Sequence, residues 1–215
     1  MKRIAYSFLL PICLLSCQQT SHQPEQPKFA YRSGDEWELA TKDRKVARTF
    51  EEFIASPTYT ETRDMWRGRA LEQYAPKNSR VEILLKEQRG RLYINNKIAM
   101  DFPVCSGRVG GSETPRGTFR ISQKEREHRS SLYGYYVNAQ DVVVKRNATA
   151  RDKAPSGSVF KGISMPYWMR FNGAIGMHVG SVFRSEASHG CVRVPIEACS
   201  ILFEKLAVGS VVIVK

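Results

Sequence analysis

The chain has 215 residues, of which 33 are Lys or Arg and 21 are Asp or Glu, giving a net charge of +12 with 42% hydrophobic residues. That apolar share supports a packed core and excludes a disordered chain, while no stretch reaches the roughly 20 apolar residues of a membrane-spanning helix. No nucleic-acid motif accompanies the positive charge, so a nucleic-acid partner is not expected; the basic balance suits anionic headgroups, acidic wall polymers or acidic peptides.

Met1-Lys2-Arg3 is a short basic start, followed by the apolar run IAYSFLLPICLL. Its length and position suit the apolar core of a secretory signal. The run closes on LLSC, Leu14 to Cys17, which resembles the lipobox of bacterial lipoproteins, where the cysteine receives the lipid and becomes the new N-terminus. Residues 1–16 are therefore expected to be a signal peptide, Cys17 the lipidation site, and residues 17–38, rich in Gln, Ser and Pro, a tether. Such a chain is anchored to a membrane in the cell envelope and faces the periplasm or wall. Without Lys2 and Arg3 it carries 31 basic against 21 acidic residues, a charge of +10. Export also changes how cysteines are read. With Cys13 removed and Cys17 lipidated, Cys105, Cys191 and Cys199 remain, an odd number for an oxidising compartment. Either a Cys105–Cys199 disulfide leaves Cys191 free, or Cys105 and Cys199 are inert core thiols.

Residues 39–78 read as a helical arm. Val46, Phe50, Phe53 and Ile54 fall at i, i+4, i+7 and i+8, which predicts a one-faced helix over 39–55 that ends before Pro57. A second helix is expected from about Glu61 to Tyr74, stopping before Pro76. Residues 79–215 change to strands: VEILL, RLYIN and IAMDFPV, with Asn95-Asn96 turning the last two into a hairpin. A Gly/Pro loop, VGGSETPRG, precedes the strand GTFRI; YYV and VVV follow, and residues 146–162 read as a polar loop. GAIGMHVGS is a buried strand carrying His178, PIEACSILFEKLA a helix begun at Pro195, and GSVVIVK a closing strand. The expected class is mainly β, a sandwich or barrel-like core with one or two helices.

Chemistry concentrates in SEASHGCVRVP, residues 185–195. Cys191 becomes a useful nucleophile only with a base or positive charge beside it. His22 lies in the tether, and His128, inside KEREHRSSLYG, reads as a surface residue. His189 is two residues from Cys191, on the same side of an extended segment, whereas His178 lies on an apolar strand, the usual address of a core histidine. On residue types alone, either can be the base. Gly190 lets the backbone turn so that consecutive N–H groups converge on one point, as an oxyanion hole requires. No G-x-S-x-G elbow surrounds Ser188, and no C-x-x-C or H-E-x-x-H accompanies the histidines, so neither a serine nucleophile nor a zinc centre is favoured.

SHGCVRVP preceded by MHVG resembles the catalytic motif of the L,D-transpeptidase family with the YkuD-type catalytic domain. The stretch YINNKIAMDFPVCSGRVGGSETPRGTFRI and the aromatic segment SMPYWMRF are similar to that family as well, so the likeness runs over residues 80–215. The resemblance implies a β-sandwich-like YkuD-type domain with a small helix cover, beside the N-terminal helical arm. It implies Cys191 as nucleophile, His178 as base, the Val179 carbonyl as holder of the imidazole tautomer, and the Gly190 and Cys191 N–H groups at the oxyanion. Ser188, His189, Arg193, Tyr167 and Trp168 would line the substrate pocket, with Arg193 facing a substrate carboxylate. The implied reaction is acyl transfer between peptidoglycan stem peptides, with no cofactor or metal and with sensitivity to carbapenem-type inhibitors. Transfer to water or to a protein lysine, and a non-catalytic wall-binding lipoprotein, are the alternatives.

Overall fold

The computed structural model describes residues 47–183 and 185–215. The expected signal peptide, Cys17, the tether and the first part of the 39–55 helix lie outside the described residues. Thirteen strands, β1 to β13, and two α-helices, α1 and α2, make up the described chain. The fold is mainly β, as expected.

Among the described residues of the arm, the α-helical part is one turn and a half long. In α1 (Phe50–Ile54), the Thr49 side chain caps the Glu52 N–H and Phe50 is buried. The second helix expected between Glu61 and Tyr74 does not form. Its place is taken by β1 (Trp66–Arg67) and a short 3-10 turn, Arg69–Glu72. The cause is a long-range contact: buried Arg89 donates to the carbonyls of Thr62 (2.9 Å) and Asp64 (3.0 Å), so these oxygens are not free for a helical ladder. Trp66 instead pairs with Asp101 at the edge of a sheet.

That sheet has six strands in the order β1-β4-β3-β2-β13-β5, where β2 is Ser79–Leu84, β3 Arg89–Ile94, β4 Lys97–Pro103, β5 Gly117–Arg120 and β13 Val211–Val214. Asn95 and Asn96 both take positive φ (49° and 62°) and close the β3–β4 hairpin as expected. A four-stranded sheet runs β12-β11-β10-β6, with β6 Gln123–Glu125, β10 Trp168–Asn172, β11 Ile175–Val179 and β12 Val192–Val194. Val81, Ile83, Leu92, Met100 and Phe102 from the first sheet meet Met169, Met177, Val192 and Val194 from the second in one core, sealed by Cys199 and Leu202 of α2 (Ile196–Lys205). Pro195 caps α2 rather than opening it.

A three-stranded sheet, β8-β7-β9, joins β7 (Arg129–Val137) to β8 (Val143–Thr149) and β9 (Val159–Ser164). Residues 146–162, expected as a loop, thus begin and end in strand, and only 150–158 connect β8 to β9. Their polar character comes from a sheet with one exposed face, not from a lack of structure.

Candidate active site

Strand parity builds the site. Met169 faces Met177, and both are fully buried in the core. Their neighbours Trp168 and His178 therefore point to the opposite face of the four-stranded sheet. Trp168 is in register with Glu125, and His178 with Arg193, so these four side chains share that face. Cys191 stands at the entrance to β12, with the Gly176 N–H reaching its thiol. A histidine on an apolar strand is here not in the core: it lies on the strand's second face.

His178 is 7% exposed, and its Nδ1–H donates to the Val179 carbonyl at 2.8 Å. Because a carbonyl only accepts, the proton sits on Nδ1 and Nε2 keeps its lone pair. Burial pushes the imidazole down to about 4; the Val179 bond opposes this, and the charges of Arg193 and His128 add to it. Burial also raises the Cys191 thiol above its usual range, partly offset by the Gly176 N–H and by Arg193. The thiol donates at long range to the Ala174 carbonyl, 3.9 Å. At rest the pair is thus a neutral thiol and a neutral imidazole.

The turn before Cys191 is held from three sides. Gly190 has φ of 109°, and a side chain there would press on Ile175. Thr114, buried in the TP-G loop, accepts the Gly107 N–H (2.9 Å) and donates to the Gly190 carbonyl (2.8 Å). Ser188, 1% exposed, donates to the Cys191 carbonyl and accepts the Gly190 N–H at 3.1 Å. Cys105 and Arg193 exchange both backbone bonds (3.0 and 2.9 Å), so β12 is fixed along its outer edge as well.

Several expected roles change. Ser188 has no free surface for substrate; it ties the turn together. Gly190 supplies the turn rather than an oxyanion donor, because its N–H is already engaged. Trp168 is 1% exposed and packs between His128 and His178, so it supports His178 and does not line a pocket. Tyr167 turns its ring to Phe203 of α2. His128 is not a surface residue but stacks on Trp168. Cys105, Cys191 and Cys199 are all free thiols, with Cys105 and Cys199 buried. His189 is exposed and stacks on Tyr133 of β7, centroids 4.4 Å apart, with Arg108 and Arg193 close enough for their charges to lower it after the effect of burial. Thr114, Tyr133 and Arg108 escaped the sequence reading. Only Thr114 carried a signal there, as part of the TP-G loop.

The model of the L,D-transpeptidase catalytic domain, YkuD, matches residues 78–214. The chain belongs to this family. Solved structures of similar fold include an L,D-transpeptidase from Stackebrandtia nassauensis, at 24% identity and a TM-score of 0.47 over 66% of this chain and 58% of that one. An L,D-transpeptidase from Xylanimonas cellulosilytica DSM 15894 is 21% identical with a TM-score of 0.48, covering 69% and 63% respectively. LdtMt1, solved in complex with imipenem, is 16% identical with a TM-score of 0.48, covering 64% and 59%. This L,D-transpeptidase-family chain spans about three-fifths of the length of these three proteins. No curated protein matches it.

Proposed function

We propose that the protein is a peptidoglycan L,D-transpeptidase that forms 3–3 cross-links by cysteine acyl transfer. The observation that carries this reading is the His178 Nδ1–Val179 bond, which leaves Nε2 basic on the strand in register with β12, at whose entrance Cys191 stands. As Cys191 Sγ attacks the carbonyl of the L-centre in a stem tetrapeptide, its proton passes to His178 Nε2. The tetrahedral oxyanion is met by the Cys191 N–H. Collapse expels the terminal D-amino acid, whose nitrogen takes the proton back from His178. An amine on a neighbouring stem then attacks the thioester, gives up its proton to His178, and leaves the new amide and the free thiol. Arg193 and the exposed His189 face the acyl group, and Arg193 suits a substrate carboxylate.

Carbapenem-type lactams present a strained carbonyl to the same thiol and are expected to form one covalent adduct, on Cys191. Walls incubated with the protein, digested and weighed, should gain 3–3 dimers. Tetrapeptides trimmed to tripeptides without dimers would assign a carboxypeptidase, and an unchanged wall with no Cys191 adduct would leave only a binding lipoprotein. The same proposal places the chain on a membrane through Cys17: Cys17→Ala should stop incorporation of labelled acyl chains, and continued labelling would remove the anchor.

A further inference from the structure

Among the described residues, the imidazole of His178 is held by a hydrogen bond at one nitrogen only. That bond fixes the tautomer but leaves the ring free to swing about it, so packing must set the orientation of Nε2 toward Cys191. The neighbour on the same sheet face is Trp168, with ring centroids 6.1 Å apart and planes at 42°. Trp168 itself is 1% exposed, yet its Nε1 has no hydrogen-bond partner among the described residues. Ring contacts alone therefore hold the indole. On one side its six-membered ring covers Gly176, where a Cβ would lie 2.7 Å from it. On another side lies His128, parallel within 11° and 4.7 Å away. His128 is tied in turn through Nδ1 to Glu125 Oε2 at 2.5 Å, and Glu125 pairs in register with Trp168. Glu125, His128, Trp168 and His178 form a column that runs across β6, β10 and β11 and ends at the candidate base.

We propose that Glu125 and His128 are positioning residues for the reaction: the carboxylate-anchored His128 ring backs the Trp168 indole, which holds His178 with Nε2 toward Cys191. This rests on the reading of Cys191 and His178 as nucleophile and base. Neither Glu125 nor His128 touches substrate. The charged and titratable groups that act on His178 are Arg193 from β12 and, beyond Trp168 of β10, His128 paired with Glu125. His128 meets Trp168 ring against ring, and the column acts through this packing. It follows that a flat apolar ring at position 128 replaces histidine and that a small side chain does not.

The test is the rate of Cys191 alkylation by iodoacetamide against pH, on the full chain, with the modified cysteine identified by peptide mass. His128→Ala should slow alkylation near neutral pH on the order of tenfold and move the rise of the profile to higher pH. His128→Phe should stay within about twofold of the wild type, because an aromatic pair keeps the indole in place. Glu125→Ala should show a smaller loss, and none in the His128→Phe background, since the carboxylate acts through the imidazole. His128→Leu, which fills the space without a flat ring, serves if the alanine variant does not fold, and should behave like it. A wild-type profile in folded His128→Ala or His128→Leu overturns the proposal, as does an equal loss in His128→Phe. If His178→Ala also leaves the profile unchanged, the assignment of the base fails with it; if His178→Ala alone changes it, only the column falls.

Discussion

A histidine kept neutral well below its ordinary pKa has a consequence for stability. Unfolded, His178 takes a proton as pH falls through about 6.5, whereas folded it does so only near 4. Between these values the unfolded chain binds more protons, so stability is full above the upper value and falls as pH drops toward the lower one. The difference amounts to about 3 kcal/mol. His178→Gln removes the titration, so urea unfolding should show the variant losing about 3 kcal/mol less than the wild type between pH 7 and pH 4. An equal loss in both proteins would mean that His178 is not buried as a neutral ring. The sequence presented two candidate bases and a reason to discount the one we propose, since an apolar strand usually buries its histidine. What it did not show is that Met169 and Met177 take the core side, which puts Trp168 and His178 together on the other. Residue types show period two along a strand, but not which neighbouring strand lies alongside.

At the scale of elements, the turn before Cys191 depends on a loop distant in sequence. Thr114 bridges the Gly107 N–H and the Gly190 carbonyl from a fully enclosed position. Thr114→Val keeps the shape and leaves both backbone groups buried without a partner, which costs about 2 kcal/mol on the usual scale for such groups. Because Gly190 then loses one of its fixing bonds, carbapenem acylation of Cys191 should slow as well. Urea unfolding and the adduct rate by mass spectrometry measure the two effects, and a loss of stability without slower acylation would separate the loop from the site. The hairpin β3–β4, the strand β5, the helix α2 and the strand β13 were all legible, because each has an apolar face and a turn residue at its end. The strands β7, β8 and β9 were only partly legible. One face of their sheet is exposed, so Lys145, Arg146 and Lys161 stand where apolar alternation was sought. The arm failed for a different reason: an arginine from β3 takes its carbonyls.

The same arginine organises the molecule as a whole. Arg89 and Asp101 are both fully buried and joined through Arg89 Nε at 2.7 Å, while Arg91 Nε (3.0 Å) and the Tyr59 hydroxyl (2.9 Å) complete the shell of the Asp101 carboxylate. The rings of Phe53 and Tyr59 cover the Arg89 guanidinium at 5.5 and 5.1 Å. Residues of the arm, of β3 and of β4 thus share one charge pair. Asp101→Ala leaves Arg89 buried and uncompensated, at a cost of about 3–5 kcal/mol. Its urea midpoint should fall accordingly, while Cys191 alkylation under strongly native conditions should keep the wild-type rate; a loss of less than about 1 kcal/mol would mean that water reaches the pair. No reading of the sequence finds this network, because Tyr59, Arg89, Arg91 and Asp101 follow no period and meet only in the folded chain.

The position of β13 also sets a timetable. It lies between β2 and β5, pairing Val211 with Arg80 on one side and with Arg120 on the other. A chain released from its N-terminal end makes the β2–β4 meander early, but β2 and β5 have nothing to join them until Val211–Val214 are free. Closure of the sheet therefore waits for the last of its six strands in chain order. Until that moment the sheet stays open between β2 and β5. For a protein that we propose is exported before it works, the site would be assembled only after passage, on the side of the membrane where its substrate lies.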